Sequence, residues 1–226
     1  MSVGKGGAAL ITVLYADAQL CVALKPAGVS SEQDGLPRLL AQQLGETCYA
    51  VHRLDTPVGG VMLLAREASA AAALADDVAQ RRIGKTYRAV VGGLPQPECG
   101  TLRDWLYHDA RANKTYAVKK QRRGVREAVL DYTVLQTVQP EGVGVPLSLT
   151  EITLHTGRTH QIRAQFAAHG WPLAGDGRYG SRIKGAVALW SYRLRFTHPV
   201  TGEAMEFTAP PPQEGFWQYF GETENP

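Results

Sequence analysis

The sequence contains little cysteine, which narrows the classes of protein to which it can belong. Only three of its 226 residues are cysteine, and Cys21, Cys48 and Cys99 lie far apart without any C-x-x-C pair. An odd number of widely spaced cysteines argues against a disulfide framework and against a zinc ribbon. We therefore expect three reduced thiols, most of them buried.

Long hydrophobic stretches are missing as well. No apolar run approaches the roughly 20 residues that a membrane-spanning helix needs. Residues 1–9 hold one lysine among mostly small residues and lack the apolar core of a signal peptide. From these absences we expect a flexible tail over residues 1–9, one folded domain over residues 10–226, no membrane association and a cytoplasmic location.

Positive charge is present but unevenly distributed. The formal net charge is only +3, yet basic residues crowd two segments of the chain. They are Lys114, Lys119, Lys120, Arg122, Arg123 and Arg126 in the first segment, and Arg178, Arg182, Lys184, Arg193 and Arg195 in the second. A local cluster draws polyanions more effectively than the total charge suggests. For the first cluster, a contact with nucleic acid and an ordinary solvated loop are equally good interpretations.

Hydrophobic spacing predicts more strands than helices. Strand patterns cover residues 13–15, 20–24, 61–65, 85–91, 128–138, 147–155, 189–196 and 205–208. Helical patterns cover residues 36–44, 67–82 and 159–169, with Thr159 as an N-cap and Gly45, Gly84 and Gly170 at the C-terminal ends. Because strand–helix–strand alternation is rare, we predict an α+β fold with a mixed, mostly antiparallel sheet and flanking helices.

One segment with chemical potential is His52-Arg53-Leu54-Asp55, which stands before the loop Thr56-Pro57-Val58-Gly59-Gly60. A carboxylate beside a histidine and an arginine leads into the buried strand predicted at 61–65. Functional groups often lie on loops that rigid strands hold in place, and glycine lets a substrate approach the backbone closely. The alternative is that Asp55 caps a turn. Taken alone, this segment favours the turn.

A second segment runs from His155 to Arg163 and includes Gly157, Arg158, Thr159, His160 and Gln161. A strand ends, the chain turns, and the first amide groups of a helix face outward as a site for phosphate. The density of arginine, histidine, threonine and glutamine favours function over a plain capped helix. A third segment, Lys85-Thr86-Tyr87-Arg88-Ala89, favours a core tyrosine when read alone.

In this order, the segments resemble the pseudouridine synthases of the RluA type. The matching pieces are Lys25-Pro26-Ala27-Gly28, His52-Arg53-Leu54-Asp55, Lys85-Thr86-Tyr87-Arg88-Ala89, Gly157-Arg158-Thr159-His160-Gln161-Ile162-Arg163, Gly175-Asp176-Gly177-Arg178-Tyr179-Gly180 and Phe196-Thr197-His198-Pro199. Each piece is a weak signal by itself, whereas six in order, over residues 13–212, are specific. The resemblance implies the pseudouridine synthase fold and a catalytic domain over residues 10–226.

The resemblance also implies roles for individual residues. Asp55 matches the catalytic aspartate, Tyr87 the tyrosine that stacks against the target base, and Arg163 the basic residue that pairs with the carboxylate. Arg53 matches an arginine that fills the space left by the flipped base, and Leu189 an apolar residue of the base pocket. Further candidates for substrate binding are His52, Arg158, His160 and Gln161.

The implied reaction suits these residue types. Uridine must leave its stack before its glycosidic bond can be reached. The C1′–N1 bond breaks, the base turns over and a C1′–C5 bond forms; a carboxylate that attacks covalently or removes a proton divides this change into easier steps. Arg163 would favour the ionised form of Asp55. The expected partner is ribosomal or transfer RNA, with no metal, no cofactor and a monomeric enzyme.

Two features depart from the usual family pattern. Val58-Gly59-Gly60 stands where Thr-Ser-Gly is usual, and Leu189-Trp190-Ser191 where many members have Leu-His-Ala. The segment before Val13 is too short for the S4 RNA-binding domain that many relatives carry, so we expect the first basic cluster to bind RNA.

Four other classes of protein compete with the synthase. A non-catalytic RNA-binding protein with the same fold would be expected to lack Asp55, Tyr87 or Arg163, and all three are present. A phosphotransferase and a glycosidase each need a second carboxylate near the first. The sequence around Asp55 offers no such partner. A metal hydrolase is poorly supported, because His155 and His160 lack the spacing of the H-E-x-x-H motif.

Overall fold

The computed structural model describes residues 10–221, so the tail predicted over residues 1–9 lies outside the described residues. The strands are β1 (Val13–Ala16), β2 (Leu20–Lys25), β3 (Tyr49–Ala50), β4 (Gly59–Ala65), β5 (Gly84–Gly92), β6 (Cys99–Asp109), β7 (Lys114–Val118), β8 (Val125–Val138), β9 (Leu147–Leu154), β10 (Leu189–Thr197) and β11 (Ala204–Thr208). The α-helices are α1 (Leu36–Leu44), α2 (Ala68–Ala79) and α3 (Gln161–Ala168), and short 3-10 helices cover Gly177–Tyr179 and Gly215–Tyr219.

The strands form one sheet in the order β1-β2-β4-β10-β5-β9-β8-β6-β7, with β11 pairing with β10 and β3 with β4. Among the described strands, every pair is antiparallel except β4 with β10. The prediction of an α+β fold with a mixed, mostly antiparallel sheet is therefore confirmed.

The parallel junction between β4 and β10 depends on glycine. Gly59 and Gly60 lie opposite Trp190 and Ser191. Gly60 has a φ of +118°, and a Cβ atom there would lie 2.3 Å from the carbonyl oxygen of Ser191. Only glycine fits this conformation and this space. The Gly-Gly pair thus lets the loop that carries Asp55 enter the centre of the sheet.

Alternate residues of β4 serve opposite faces of the sheet, as the two-residue period of a strand requires. Met62 and Leu64 pack in the core that includes residues of α1 and α3, whereas Val61 and Leu63 pack in the core that includes α2. Both faces of this strand are buried, which explains its continuous apolar sequence. Among the described residues, no helix combines the length and the apolar character needed to cross a membrane.

Two predicted helix boundaries are wrong. Helix α2 ends at Ala79 rather than at residue 82, because Arg81 adopts a left-handed φ of 60°. Gly84 does not close the helix, since it is the first residue of β5. Helix α3 begins at Gln161, and His160 rather than Thr159 is its N-cap residue, with a left-handed φ of 52°. The carbonyl oxygen of Thr159 instead accepts a hydrogen bond from a neighbouring strand.

Strands β3, β6 and β7 were not predicted, and they change the interpretation of the first basic cluster. The cluster begins in β7 with Lys114 and ends in β8 with Arg126. Residues 119–124 form the exposed connection between these strands. Only the middle of the cluster is therefore a loop, and its ends belong to strands. Of the three free cysteines, Cys21 and Cys48 are buried and Cys99 is exposed.

Asp17, between β1 and β2, connects this hairpin to His198 in the segment 196–199, the last of the six matched segments. Its Oδ1 accepts hydrogen bonds of 2.8 Å from the backbone amides of Gln19 and Leu20. Its Oδ2 lies 2.8 Å from the hydroxyl of Tyr15 and 2.9 Å from Nε2 of His198. Burial opposes ionisation of the carboxyl group, but the hydrogen bonds, with Leu20 the strongest, lower the pKa of Asp17 to about 2.

We expect Asp17→Asn to lower the free energy of unfolding at pH 7 by about 1–2 kcal/mol. The folded pKa lies below the ordinary value of 3.8, so the contribution of the carboxylate is complete above about pH 4 and is lost towards pH 2. Urea unfolding of both proteins between pH 7 and pH 3 measures the difference. A difference that stays constant over this range would contradict the assignment.

Candidate active site

A cavity of about 570 Å³ lies between the loop 51–58, the start of β5 and the turn into α3. This volume is within the range of small-molecule binding sites. The structure brings all the predicted site residues to its walls, which include His52, Arg53, Asp55, Tyr87, Arg158, His160, Gln161, Arg163 and Leu189. Their common location agrees with a shared function, while their individual roles stay predictions.

The centre of the site is an arginine held between two carboxylates. Nη1 of Arg163 lies 3.1 Å from Oδ2 of Asp55, 108 residues away in the sequence. Nε and Nη2 of the same arginine donate to the two carboxylate oxygens of Asp176 at 2.7 and 2.9 Å. Burial disfavours the charge of Arg163, but Asp176 and Asp55 together raise its pKa. The guanidinium therefore remains charged beside Asp55.

Asp176 was missed by the sequence analysis as a site residue. It is only 1% exposed, and its carboxylate forms a bidentate pair with Arg163. It lies in the matched segment 175–180, which was the only signal that could have pointed to it. In sequence, an aspartate between two glycines is more typical of a surface turn.

The loop that carries Asp55 is fixed on both sides through its backbone. Lys25 is fully buried, and its ammonium group donates to three carbonyl oxygens, including that of Thr56 at 3.2 Å. The Ser31 hydroxyl donates to the carbonyl of Leu54 at 2.8 Å and accepts from its amide at 3.1 Å. Burial lowers the pKa of Lys25 to about 8, and the charge of Asp55 partly offsets this.

Tyr87 and Leu189 form an apolar wall of the cavity. Both belong to the core cluster that includes residues of α1 and α3, and both are nearly buried. Adjacent strands hold them, since Leu189 lies opposite Ala89 and Tyr87 opposite Ser191. Burial, followed by the charge of Asp55, raises the pKa of the Tyr87 hydroxyl. Tyr87 therefore stays neutral beside the carboxylate.

His52 and Arg53 are adjacent in sequence but have different surroundings. His52 is buried, and its Nε2 accepts a 3.1 Å hydrogen bond from the amide of Leu63, which ties the loop to β4. Burial, with the charge of Lys85 adding to it, lowers the pKa of His52 well below its ordinary value. Arg53 is exposed and forms a 3.1 Å ion pair with Glu32 at the rim. Such exposed pairs contribute little to stability, so the guanidinium can exchange partners at small cost.

The turn into α3 is organised by Gln161. Its Oε1 accepts hydrogen bonds from the hydroxyl of Thr156 at 2.8 Å and from the amide of Arg158 at 3.0 Å, and its Nε2 donates to the carbonyl of Val129. Nε of Arg158 donates to the carbonyl of Glu127 at 2.9 Å. These bonds hold the turn against β8.

His160 is a further polar neighbour of Asp55. Its Nε2 lies 3.7 Å from Oδ2 of Asp55, and its Nδ1 lies 3.0 Å from the hydroxyl oxygen of Tyr179. Within residues 10–221, no group of three or more His, Cys, Asp or Glu side chains is arranged to hold a metal ion.

Residues 19–168 match the family described as RNA pseudouridylate synthase. The chain therefore belongs to this family, and it is an RNA pseudouridine synthase, an isomerase. The resemblance found in the sequence is confirmed.

Curated relatives agree with this membership. The chain is 32% identical to the uncharacterized RNA pseudouridine synthase YhcT of Bacillus subtilis (strain 168), over 90% of this chain and 70% of that protein. It is 31% identical to tRNA pseudouridine synthase C of Yersinia pestis, over 94% of this chain and 91% of that protein. Ribosomal large subunit pseudouridine synthase D of Neisseria meningitidis serogroup A is 34% identical, over 90% of this chain and 59% of that protein.

The fold also agrees with solved structures. Human RNA Pseudouridylate Synthase Domain Containing 1 superposes with a TM-score of 0.78 at 24% identity, over 92% of this chain and 87% of that chain. Human RNA Pseudouridylate Synthase Domain Containing 4 gives a TM-score of 0.74 at 22% identity, over 92% and 90% of the two chains. At this level of identity the likeness establishes the fold.

We expect Arg163→Met to destabilise the protein by about 3–5 kcal/mol, because it leaves the buried Asp176 charged and unpaired. The double variant Arg163→Met with Asp176→Asn should regain part of this stability, since an amide carries no charge. Urea unfolding at pH 7 of both variants and of Asp176→Asn alone measures the coupling. Strictly additive effects would show that the pair is not energetically linked.

Proposed function

We propose that this enzyme converts a uridine of ribosomal or transfer RNA to pseudouridine with Asp55 as its nucleophile. The observation that carries the proposal is the 3.1 Å ion pair between Asp55 and Arg163 in a cavity with an apolar wall. An apolar wall alone would favour the protonated carboxylic acid. The guanidinium places a positive charge beside the carboxylate, which is the form of the side chain that a nucleophile or a base requires.

Asp176 determines how Arg163 can act. The bidentate contact with Asp176 uses Nε and Nη2, and Nη1 is the atom that contacts Asp55. Bidentate pairs fix the plane of a guanidinium as well as its position. Asp55 therefore meets a donor of defined direction, and its carboxylate is held before the substrate arrives.

The reaction conserves the atoms of uridine. In the proposed path the C1′–N1 bond breaks with Asp55 attacking or accepting a proton, the base turns, and C5 bonds to C1′. The proton on C5 then leaves, and N1 ends with a proton. Tyr87 and Leu189 supply the surface against which the base lies, and Arg53 at the rim fills the gap in the RNA stack.

The names of two relatives support both RNA classes as targets. One relative is named for transfer RNA and the other for the large ribosomal subunit. A cytoplasmic location, a monomer and the absence of a cofactor stay predictions.

The first test is Asp55→Asn. We expect it to lower pseudouridine formation by more than about 1000-fold, because the amide neither attacks C1′ nor accepts a proton, while RNA affinity changes little. Pseudouridine is mapped in total RNA from cells with and without the gene, and the purified variants are assayed on the RNA found. Asp34→Asn, on an exposed turn outside the cavity, is the matched control. Full activity of Asp55→Asn would overturn the proposal.

We further propose that the first basic cluster binds the RNA backbone. Strand β7 contacts the cavity wall, because the hydroxyl of Thr115 donates to the carbonyl oxygen of Thr159 at 2.8 Å and Thr159 lines the cavity. Lys119, Lys120, Arg122 and Arg123 lie on the exposed connection that follows β7. The cluster is thus attached to a wall of the cavity.

We expect reversal of these four charges to weaken RNA binding and to reduce the slope of log affinity against log salt by about 0.7 for each phosphate that the protein no longer neutralises. Binding is measured by titration at several salt concentrations. The single variants Arg123→Glu and Arg195→Glu are measured in the same way. Arg195→Glu is the control, since Arg195 is exposed and already pairs with Glu206. An unchanged slope in the fourfold variant, or an equal change in both single variants, would reject this role.

A further inference from the structure

His160 lies between Asp55 and a hydrogen-bonded chain that comes from β7. The order of the chain is the backbone amide of Thr115, the hydroxyl of Tyr179, and Nδ1 of His160. On its other side, the imidazole presents Nε2 to Oδ2 of Asp55 at 3.7 Å. The histidine side chain is 8% exposed, so these contacts replace most of its contact with water.

The positions of the protons in this chain follow from the donors and acceptors. A backbone amide can only donate, so the hydroxyl oxygen of Tyr179 accepts from Thr115 at 2.8 Å. The hydroxyl hydrogen of Tyr179 then has Nδ1 of His160 as its acceptor at 3.0 Å. The side-chain hydroxyl of Thr115 does not compete for this position, because it donates to the carbonyl of Thr159 at 2.8 Å. This arrangement favours a neutral His160 that carries its hydrogen on Nε2.

The groups around His160 keep its ring neutral. Burial is the largest effect and lowers the pKa of His160. The charge of Asp55 in the loop 51–58 opposes this, whereas Arg163 in α3, Arg178 in the 3-10 helix Gly177–Tyr179 and His108 in β6 add to it. With burial and three basic neighbours acting against one carboxylate, the ring is uncharged at pH 7.

We propose that Thr115, Tyr179 and His160 form a positioning relay, which fixes the Nε2–H tautomer of His160 and directs that hydrogen at Oδ2 of Asp55. The proposal rests on the function proposed above for Asp55. A separation of 3.7 Å is longer than a hydrogen bond, and such contacts commonly shorten once substrate is bound. Tyr179 and His160 are then positioning residues that act through the carboxylate.

The relay distinguishes the two oxygens of Asp55. Oδ2 faces both Arg163 and His160, whereas Oδ1 has no hydrogen-bond donor within the part of the chain that the structure describes. Oδ1 is therefore the atom that is free to react with the ribose or to accept a proton. Because Nε2 carries a hydrogen, His160 has no lone pair towards the site and is not the base that removes the C5 proton.

The tautomer can be measured without RNA and without activity. Ring ¹⁵N NMR of histidine-labelled enzyme at pH 7 should show His160 as the Nε2–H form, with its signal identified by its disappearance in His160→Asn. Tyr179→Phe removes the donor to Nδ1, so we expect the Nδ1–H form to gain population. An imidazolium or an Nδ1–H ring in the wild type, or an unchanged tautomer in Tyr179→Phe, would overturn the relay.

Two amide variants test the consequence for the reaction. Glutamine places an N–H group near the position of Nε2, whereas asparagine is too short to reach Oδ2 yet tolerates the left-handed backbone of residue 160. In single-turnover assays we expect the rate of His160→Asn to fall about 10-fold to 100-fold with little change in RNA affinity, and His160→Gln to recover most of that rate. Thermal unfolding of both variants reports on the fold.

The outcomes separate this inference from the proposed function. An inactive Asp55→Asn together with a His160→Asn variant as fast as the wild type would overturn the relay and leave the nucleophile in place. An active Asp55→Asn would overturn the proposed function, while the NMR measurement would still decide the tautomer. An equal fall in rate in the glutamine and asparagine variants would also count against the relay, since it would show that the N–H group at this position has no effect.

Discussion

The site depends on one guanidinium that serves two carboxylates. Arg163 is 4% exposed, so its charge must be matched inside the protein. Asp176 neutralises it and fixes its plane, and this leaves Nη1 for Asp55. The two carboxylate groups therefore share a single guanidinium, and of the two it is Asp55 that borders the cavity.

The sheet brings this trio together from distant parts of the chain. Asp55 precedes β4, and Arg163 lies on α3 and Asp176 on the turn that follows this helix. Tyr87 and Leu189 come from β5 and β10, which are neighbours in the sheet. Gly60 allows β4 to pair directly with β10. The sequence Val58-Gly59-Gly60, which departs from the usual family pattern, therefore has a structural role at the start of the central strand.

The sequence was enough to predict the site residues that lie in the family motifs and the strands with strong hydrophobic patterns. It was not enough where a strand, a helix boundary or a site residue depends on tertiary contacts. Strand β6 is mostly half-exposed, so its apolar residues do not alternate clearly. The start of α3 depends on Gln161, whose side chain binds the preceding turn and leaves His160 left-handed. Nothing local to Asp176 indicates that Arg163 buries it, because that contact exists only in the folded chain.

Strand β7 connects two features that the sequence presented separately. Its first residue, Lys114, opens the basic cluster, and its second, Thr115, contacts the site through both its amide and its hydroxyl group. Thr115 is 2% exposed, so these bonds are shielded from water and hold the strand firmly. Through Thr115, the strand that leads into the exposed connection is joined to Tyr179, and through Tyr179 to His160, by a path of two hydrogen bonds. The connection proposed to bind RNA therefore follows directly on the strand that contacts the chain of groups facing Asp55.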